Sequence, residues 1–185
     1  MLRMQWLSTL ACGAMLAVAA PIGAAPQAGT HPSRSAMSAN QRAADLMNTI
    51  NKSEVSTACM VADRTKNSRV KRFADMLVND HKQAQTSLES AAGASNISLH
   101  EGAAMMHHDK MMQEHMEAMT PEAADRSFAA SQVREHERAI RQLERLEPQI
   151  TDPQLKTTVT DYLPVLRKHL AEAKKLEAEL HKPKA

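Results

Sequence analysis

The chain has 185 residues, with 23 Lys and Arg against 21 Asp and Glu, for a formal net charge of +2. So balanced a surface lacks the basic footprint of a nucleic-acid binder. Two Phe, one Tyr and one Trp are too few for a base-stacking surface, so no nucleic-acid partner is expected.

Residues 1–25 carry the three-part pattern of a cleavable secretory signal. Arg3 stands near the start, Leu7 to Ala20 form an apolar run, and Pro-Ile-Gly-Ala-Ala follows. The run is about 14 residues, short of the roughly 20 that a membrane span requires. No later stretch is apolar enough to span, so the mature chain is expected to be soluble and periplasmic. Cleavage is expected after Ala24, Ala25 or Ala28. Leu10-Ala11-Cys12 has part of a lipoprotein box, but the apolar run continues past the cysteine, which argues against lipidation. Cleavage removes Arg3, Trp6 and Cys12. The net charge then falls from +2 to +1, and Cys59 has no intramolecular disulfide partner. On its helix face Cys59 reads as a small buried apolar residue rather than a redox thiol.

Residues 26–37 are rich in breakers and form an expected flexible lead-in. From 38 to 182 a single helical domain is expected. Alanine, leucine, methionine, glutamate and lysine dominate it, all good helix formers, and no strand-like alternation appears. The first helix is expected from about Ser38 to Lys66, with Ala43, Met47, Ile50, Ala58 and Val61 inward. The second runs from Asn67 or Ser68 to Gly93, with Val70, Phe73, Leu77, Ala84 and Leu88 inward. Residues 103–119 form a short methionine-rich helix in a link too long for a tight turn. Thr120-Pro121-Glu122, a cap followed by proline at the first helical position, opens a helix to about Glu147 carrying Phe128, Ala139, Ile140, Leu143 and Leu146. Asp152-Pro153 repeats that device and opens the last, to about His181, with Leu155, Val159, Tyr162, Leu166, Ala173, Leu176 and Leu180. Pro164 lies inside it and is expected to kink it by removing the hydrogen bond to Thr160. Four long helices, each with one apolar stripe, must bury those stripes together. The long link permits a crossover, so the expected fold is all-α, a ferritin-like four-helix bundle with a short extra helix.

Ionisable residues interrupt those stripes. Glu54 sits at helical spacing among Met47, Ile50, Ala58 and Val61, His81 between Leu77 and Ala84, His136 between Phe128 and Ala139, and His169 between Leu166 and Ala173. With a crossover, Glu54 and His169 lie about 12 residues from one end of the bundle, and His81 and His136 about 15. At 1.5 Å per residue the spread is roughly 4 to 5 Å, less than one turn. One carboxylate and three imidazoles at one height suit a zinc, iron or copper ion. A hydrogen-bonded Glu-His cluster without metal remains the alternative, because buried polar groups need partners of some kind. Di-iron carboxylate enzymes use Glu-x-x-His pairs. No histidine here has glutamate three positions earlier, and catalysis is not expected.

On the short helix, Met105, His108, Met112, His115 and Met119 share one stripe at spacings of three and four. Thioether with imidazole suits monovalent copper or silver. The same methionines also serve as plain packing residues. Arg167-Lys168, Glu172 and Lys174-Lys175 read as a solvated helix face.

Several stretches are similar to one known family. They are Ser53-Glu54-Val55, Asn67-Ser68-Arg69-Val70-Lys71-Arg72-Phe73-Ala74, Met76-Leu77-Val78-Asn79-Asp80-His81, Glu135-His136-Glu137 and Leu163-Pro164-Val165-Leu166-Arg167-Lys168-His169-Leu170. Together they resemble the bacterial ferritin-like domain-of-unknown-function family, whose members are often labelled predicted outer membrane protein or putative exported protein. The resemblance covers about residues 40 to 180. It implies an exported helical bundle with Glu54, His81, His136 and His169 on its polar core positions, and no established activity. The chain departs from the family pattern at Ser56, where a second glutamate is common, at Phe128, where tyrosine is common, and in the methionines of 105–119. The function expected is therefore metal binding or handling without catalysis, with a structural or stress-related envelope bundle as the alternative.

Overall fold

The computed structural model describes residues 38–182, apart from the side chains of residues 103–106, 108 and 109. The expected signal (1–25) and lead-in (26–37) lie outside the described residues. Within them the protein is helical, with no strand. The helices are α1 (Ala39–Arg64), α2 (Ser68–Ala94), α3 (Ala103–Glu117), α4 (Pro121–Leu146) and α5 (Pro153–Leu180), and a single 3-10 turn, Glu147–Gln149, follows α4.

The boundaries follow from the capping residues. The Ser38 hydroxyl accepts from the Gln41 amide, Asn67 from Arg69, Thr120 from Ala123 and Asp152 from Leu155. Each oxygen satisfies one of the amides that a helix start leaves without an internal partner. Pro121 and Pro153 occupy first-turn positions, where a missing N–H costs nothing. α5 continues through Pro164, which is exposed while Tyr162, Leu163 and Leu166 face inward. The carbonyl of Thr160 that the proline leaves without its helical donor thus lies toward solvent, where water can serve it.

α1 lies along α2, α4 along α5, α2 against α5 and α1 against α4, closing a ring. Arg69 at the start of α2 pairs with Glu179 at the end of α5 at 2.7 Å, so those two run antiparallel. Asn40 at the start of α1 accepts from the amide of Thr151, just beyond α4, at 2.9 Å, so that pair is antiparallel too. α2 and α4 consequently point the same way, and the link between them has to traverse the bundle. It does so beside α1. The turn out of α2 uses Asn96 at φ 51°, a left-handed conformation that asparagine tolerates. The amide of His100 then donates to Asp45, that of Gly102 to Thr49, the Gln113 side chain to Ser56, and Arg64 donates to the carbonyls of Met116 and Glu117.

The core comes in two parts. Met47, Leu88, Leu143, Leu155 and Leu166 centre the first cluster, and Val61, Leu77, Met116, Phe128 and Leu176 the second. Every position expected inward is buried except Ala84, Leu146 and Leu180, which are half-buried, as is Cys59. Leu143 is fully enclosed, so Leu143→Ala should lower the free energy of unfolding by about 2–5 kcal/mol. Thr120→Ala, which removes only a helix cap, should cost about 1 kcal/mol. Urea denaturation reads both, and a Leu143→Ala loss no larger than the cap loss would show that the first cluster is loosely packed.

Candidate metal centre

Between the two apolar clusters lies a polar layer. It contains Asn51 and Glu54 from α1, His81 from α2, Gln132 and His136 from α4 and His169 from α5, each at most 4 % exposed. The helical period explains the membership. Asn51 and Glu54 are three apart, and Gln132 and His136 four apart, so each pair shares a stripe.

The three histidines converge. Each offers one ring nitrogen, and the three nitrogens lie within 4.8 Å of one another. His136 Nε2 and His169 Nδ1 are 3.3 Å apart. Glu54 stands beside this group, its Oε1 3.8 Å from His136 Nδ1, the nitrogen on the other side of that ring.

The outer nitrogens have partners that fix the position of each ring proton. His136 Nδ1 lies 3.0 Å from the carbonyl of Gln132, which can only accept, so Nδ1 carries the hydrogen. His169 Nε2 lies 2.9 Å from the Asp80 carboxylate and donates to it. The Tyr162 hydroxyl donates to Asn51 Oδ1 at 2.7 Å, and His81 Nδ1, 3.1 Å from that oxygen, donates to it as well. A neutral imidazole has one N–H and one lone pair. The lone pairs therefore fall on His81 Nε2, His136 Nε2 and His169 Nδ1. Two of them face each other at 3.3 Å with no hydrogen between, and His81 Nε2 is buried without a hydrogen-bond partner.

Burial holds the rings neutral. It pushes the pKa of His81 well below the ordinary value, and the neighbouring imidazoles add to the effect. His136 is lowered to about 3 for the same reasons. His169 is lowered by burial, although Asp80 pulls the other way. Near neutral pH the 3.8 Å approach of Glu54 to His136 is therefore not an ion pair. Tyr162 is raised well above the phenol range, first by burial and then by the charge of Glu54.

The three histidines could hold a metal ion. In a tetrahedral shell with metal–nitrogen bonds of about 2.0–2.1 Å, two ligand nitrogens sit about 3.3 Å apart, the separation of His136 Nε2 and His169 Nδ1. Each ring is also oriented from outside by an acceptor, which is how metal-binding imidazoles are held in place.

Sequence reasoning missed the outer residues. Asn51 and Gln132 were legible as amides on the inward stripes, and Asp80 as the neighbour of His81, whereas Tyr162 reads as an ordinary core aromatic. Only the fold brings its hydroxyl to His81, 81 positions away in the chain. The expected soft-metal stripe on α3 divides. Met112 and Met119 pack on the second apolar cluster and His115 is exposed, while the side chains of Met105 and His108 lie outside those described. Arg167, Lys168, Lys174 and Lys175 are exposed and ion-paired: Arg167 with Glu144, Lys168 with Asp80, Lys174 with Glu137 and Lys175 with Glu172.

A family model described as a domain of unknown function (DUF4142) matches residues 24–176. The chain belongs to this family. Neither the curated proteins nor the solved structures give a match. The DUF4142 span contains all six residues of the polar layer together with Asp80 and Tyr162, so the candidate centre lies wholly within the family's own domain.

A histidine whose folded pKa is depressed binds its proton more readily when unfolded, so stability falls as pH drops below the unfolded value. The window opens near pH 6.5 and closes, for His136, near about 3. Each such histidine contributes a slope of up to about 1.4 kcal/mol per pH unit. Denaturation between pH 7 and pH 4 in chelator should show this loss, and His136→Gln should remove one proton's worth of slope. An unchanged slope in that variant would mean His136 is not held neutral by the fold.

Proposed function

We propose that this protein is an exported, periplasmic helical bundle that binds a transition metal ion (zinc, iron or copper) through His81, His136 and His169, and that it does so without catalysis. The observation that carries this is the set of ring protons. Three outer acceptors leave lone pairs on His81 Nε2, His136 Nε2 and His169 Nδ1; the last two face each other at 3.3 Å, the first is buried without a partner, and the three rings each offer a nitrogen within 4.8 Å of the others. Neutral imidazoles suit zinc, copper, iron and nickel. A proton in place of the metal would need an imidazolium where burial disfavours one. Glu54 stands on the far side of His136, its Oε1 3.8 Å from Nδ1. The link that climbs α1 and leaves α2 and α4 parallel supports a ferritin-like topology for the bundle. Export is supported by the basic start, apolar run and small residues before position 26.

Metal analysis of protein purified without chelator, followed by titration of the apo-protein with zinc, ferrous iron and copper, tests this reading. One zinc or ferrous ion per chain is expected, and bound metal should raise the midpoint of unfolding, since a ligand of the native state alone stabilises it. His81→Ala should lower the stoichiometry and remove that metal-dependent gain. Asp80→Asn should weaken affinity about 10- to 100-fold, the usual cost of losing an outer-sphere partner. If no metal binds the wild type, and His81→Ala costs about 1–3 kcal/mol whether or not metal is added, the cluster is a metal-free polar core and the proposal fails.

A further inference from the structure

The stripe of α3 that the fold leaves in solvent differs from the one marked by methionine spacing. Met112, Met116 and Met119, at steps of four and three, all turn inward onto the second apolar cluster. Met111 does not. It is 54 % exposed and is the large apolar side chain most at odds with burial among the described residues. His107 and His115, four positions before and after it, are exposed as well. Positions four apart on a helix have Cβ atoms about 5–6 Å apart, so both rings flank the thioether along one line. Packing has no use for Met111, because its neighbours already supply the apolar contact with the core.

We propose that this face is a second metal site, specific for a soft monovalent ion such as copper(I) or silver(I), in which Met111 Sδ and one ring nitrogen of His107 or His115 form a two-coordinate pair. Thioether sulfur is a soft ligand and discriminates against zinc and other harder divalent ions. Methionine has three rotatable side-chain bonds, so one sulfur serves a histidine on either side. The two pairs overlap at Met111, and the face holds one ion. Lys110 and Glu114 on the same helix are paired with each other at 3.7 Å. The site shares no side chain with the buried histidines and stands or falls independently of them.

The full-length protein is first equilibrated with zinc, to occupy the buried histidines if they bind it, and then titrated with silver nitrate in chloride-free buffer. The wild type should take up one silver ion more than Met111→Leu, a volume-conserving change that should leave helicity and the unfolding midpoint intact. Removing one of two equivalent pairs costs only a statistical factor, so His107→Ala and His115→Ala should each weaken this uptake about twofold, and the double variant at least about tenfold. The methyl resonance of Met111 should shift with silver and not with zinc. The proposal is overturned if Met111→Leu binds silver as the wild type does, or if silver shifts only the methyls of Met112, Met116 and Met119. It is equally overturned if the double histidine variant keeps the wild-type affinity.

Discussion

Four helices bring ionisable or amide side chains to one level of the core, and the rest of the architecture accommodates that constraint. The apolar residues form two clusters rather than one because the layer of Asn51, Glu54, His81, Gln132, His136 and His169 lies between them. Along every long helix the switch from one cluster to the other occurs at the layer: Ile50 to Ala58, Leu77 to Leu88, Ala129 to Ala139 and Leu166 to Ala173. Burying such groups costs free energy unless each finds a partner. Most do, in a connected network that reaches from Gln85 through Asn51 to Tyr162 and His81. The side-chain atoms left over are informative because they are few. Among them, within the described residues, are His81 Nε2 and both polar atoms of the Gln132 amide, one turn from His136, all enclosed without hydrogen-bond partners.

Chain direction decides whether the layer exists at all. His136 and His169 meet at 3.3 Å because α4 starts at the end of the bundle where α1 finishes. Had the chain turned back tightly after α2, α4 would run the opposite way and the two histidines would part by many residues' rise. The link therefore has a task beyond connection. Its bonds to Asp45, Thr49, Ser56 and Arg64 fix its path along α1, and its inward methionines fill the second cluster. Methionine suits such a position because its flexible thioether fills irregular gaps between helices.

Much of this was legible in the sequence, for identifiable reasons. Ser38, Asn67, Thr120 and Asp152 mark helix starts through a local hydrogen bond that only their short polar side chains make. The four ionisable core residues were visible because each breaks a period of 3.6 residues. What the period hides is the direction and partner of each side chain. Glu54 and the histidines occupy equivalent stripe positions, yet the three imidazoles converge while the carboxylate meets the outer nitrogen of His136. On α3 the spacing of methionines and histidines admits more than one stripe. Only docking against α1 and α4 chooses which of them is buried.

The layer is also poorly explained as a device for stability. A buried hydrogen-bonded polar network is at best comparable to well-packed apolar side chains of the same volume, and removing one member alone is costly. Two apolar clusters already flank it on both sides, so leucines at the same level would join them into one core. Three imidazoles held neutral, each turned by an outside acceptor so that its lone pair faces inward, answer a different requirement. Stability asks only that the ring nitrogens find partners. Binding a cation asks that three of them be left without, at a common point, and kept dry. His81 Nε2, buried without a partner, and the 3.3 Å approach of His136 Nε2 to His169 Nδ1 support the second requirement over the first.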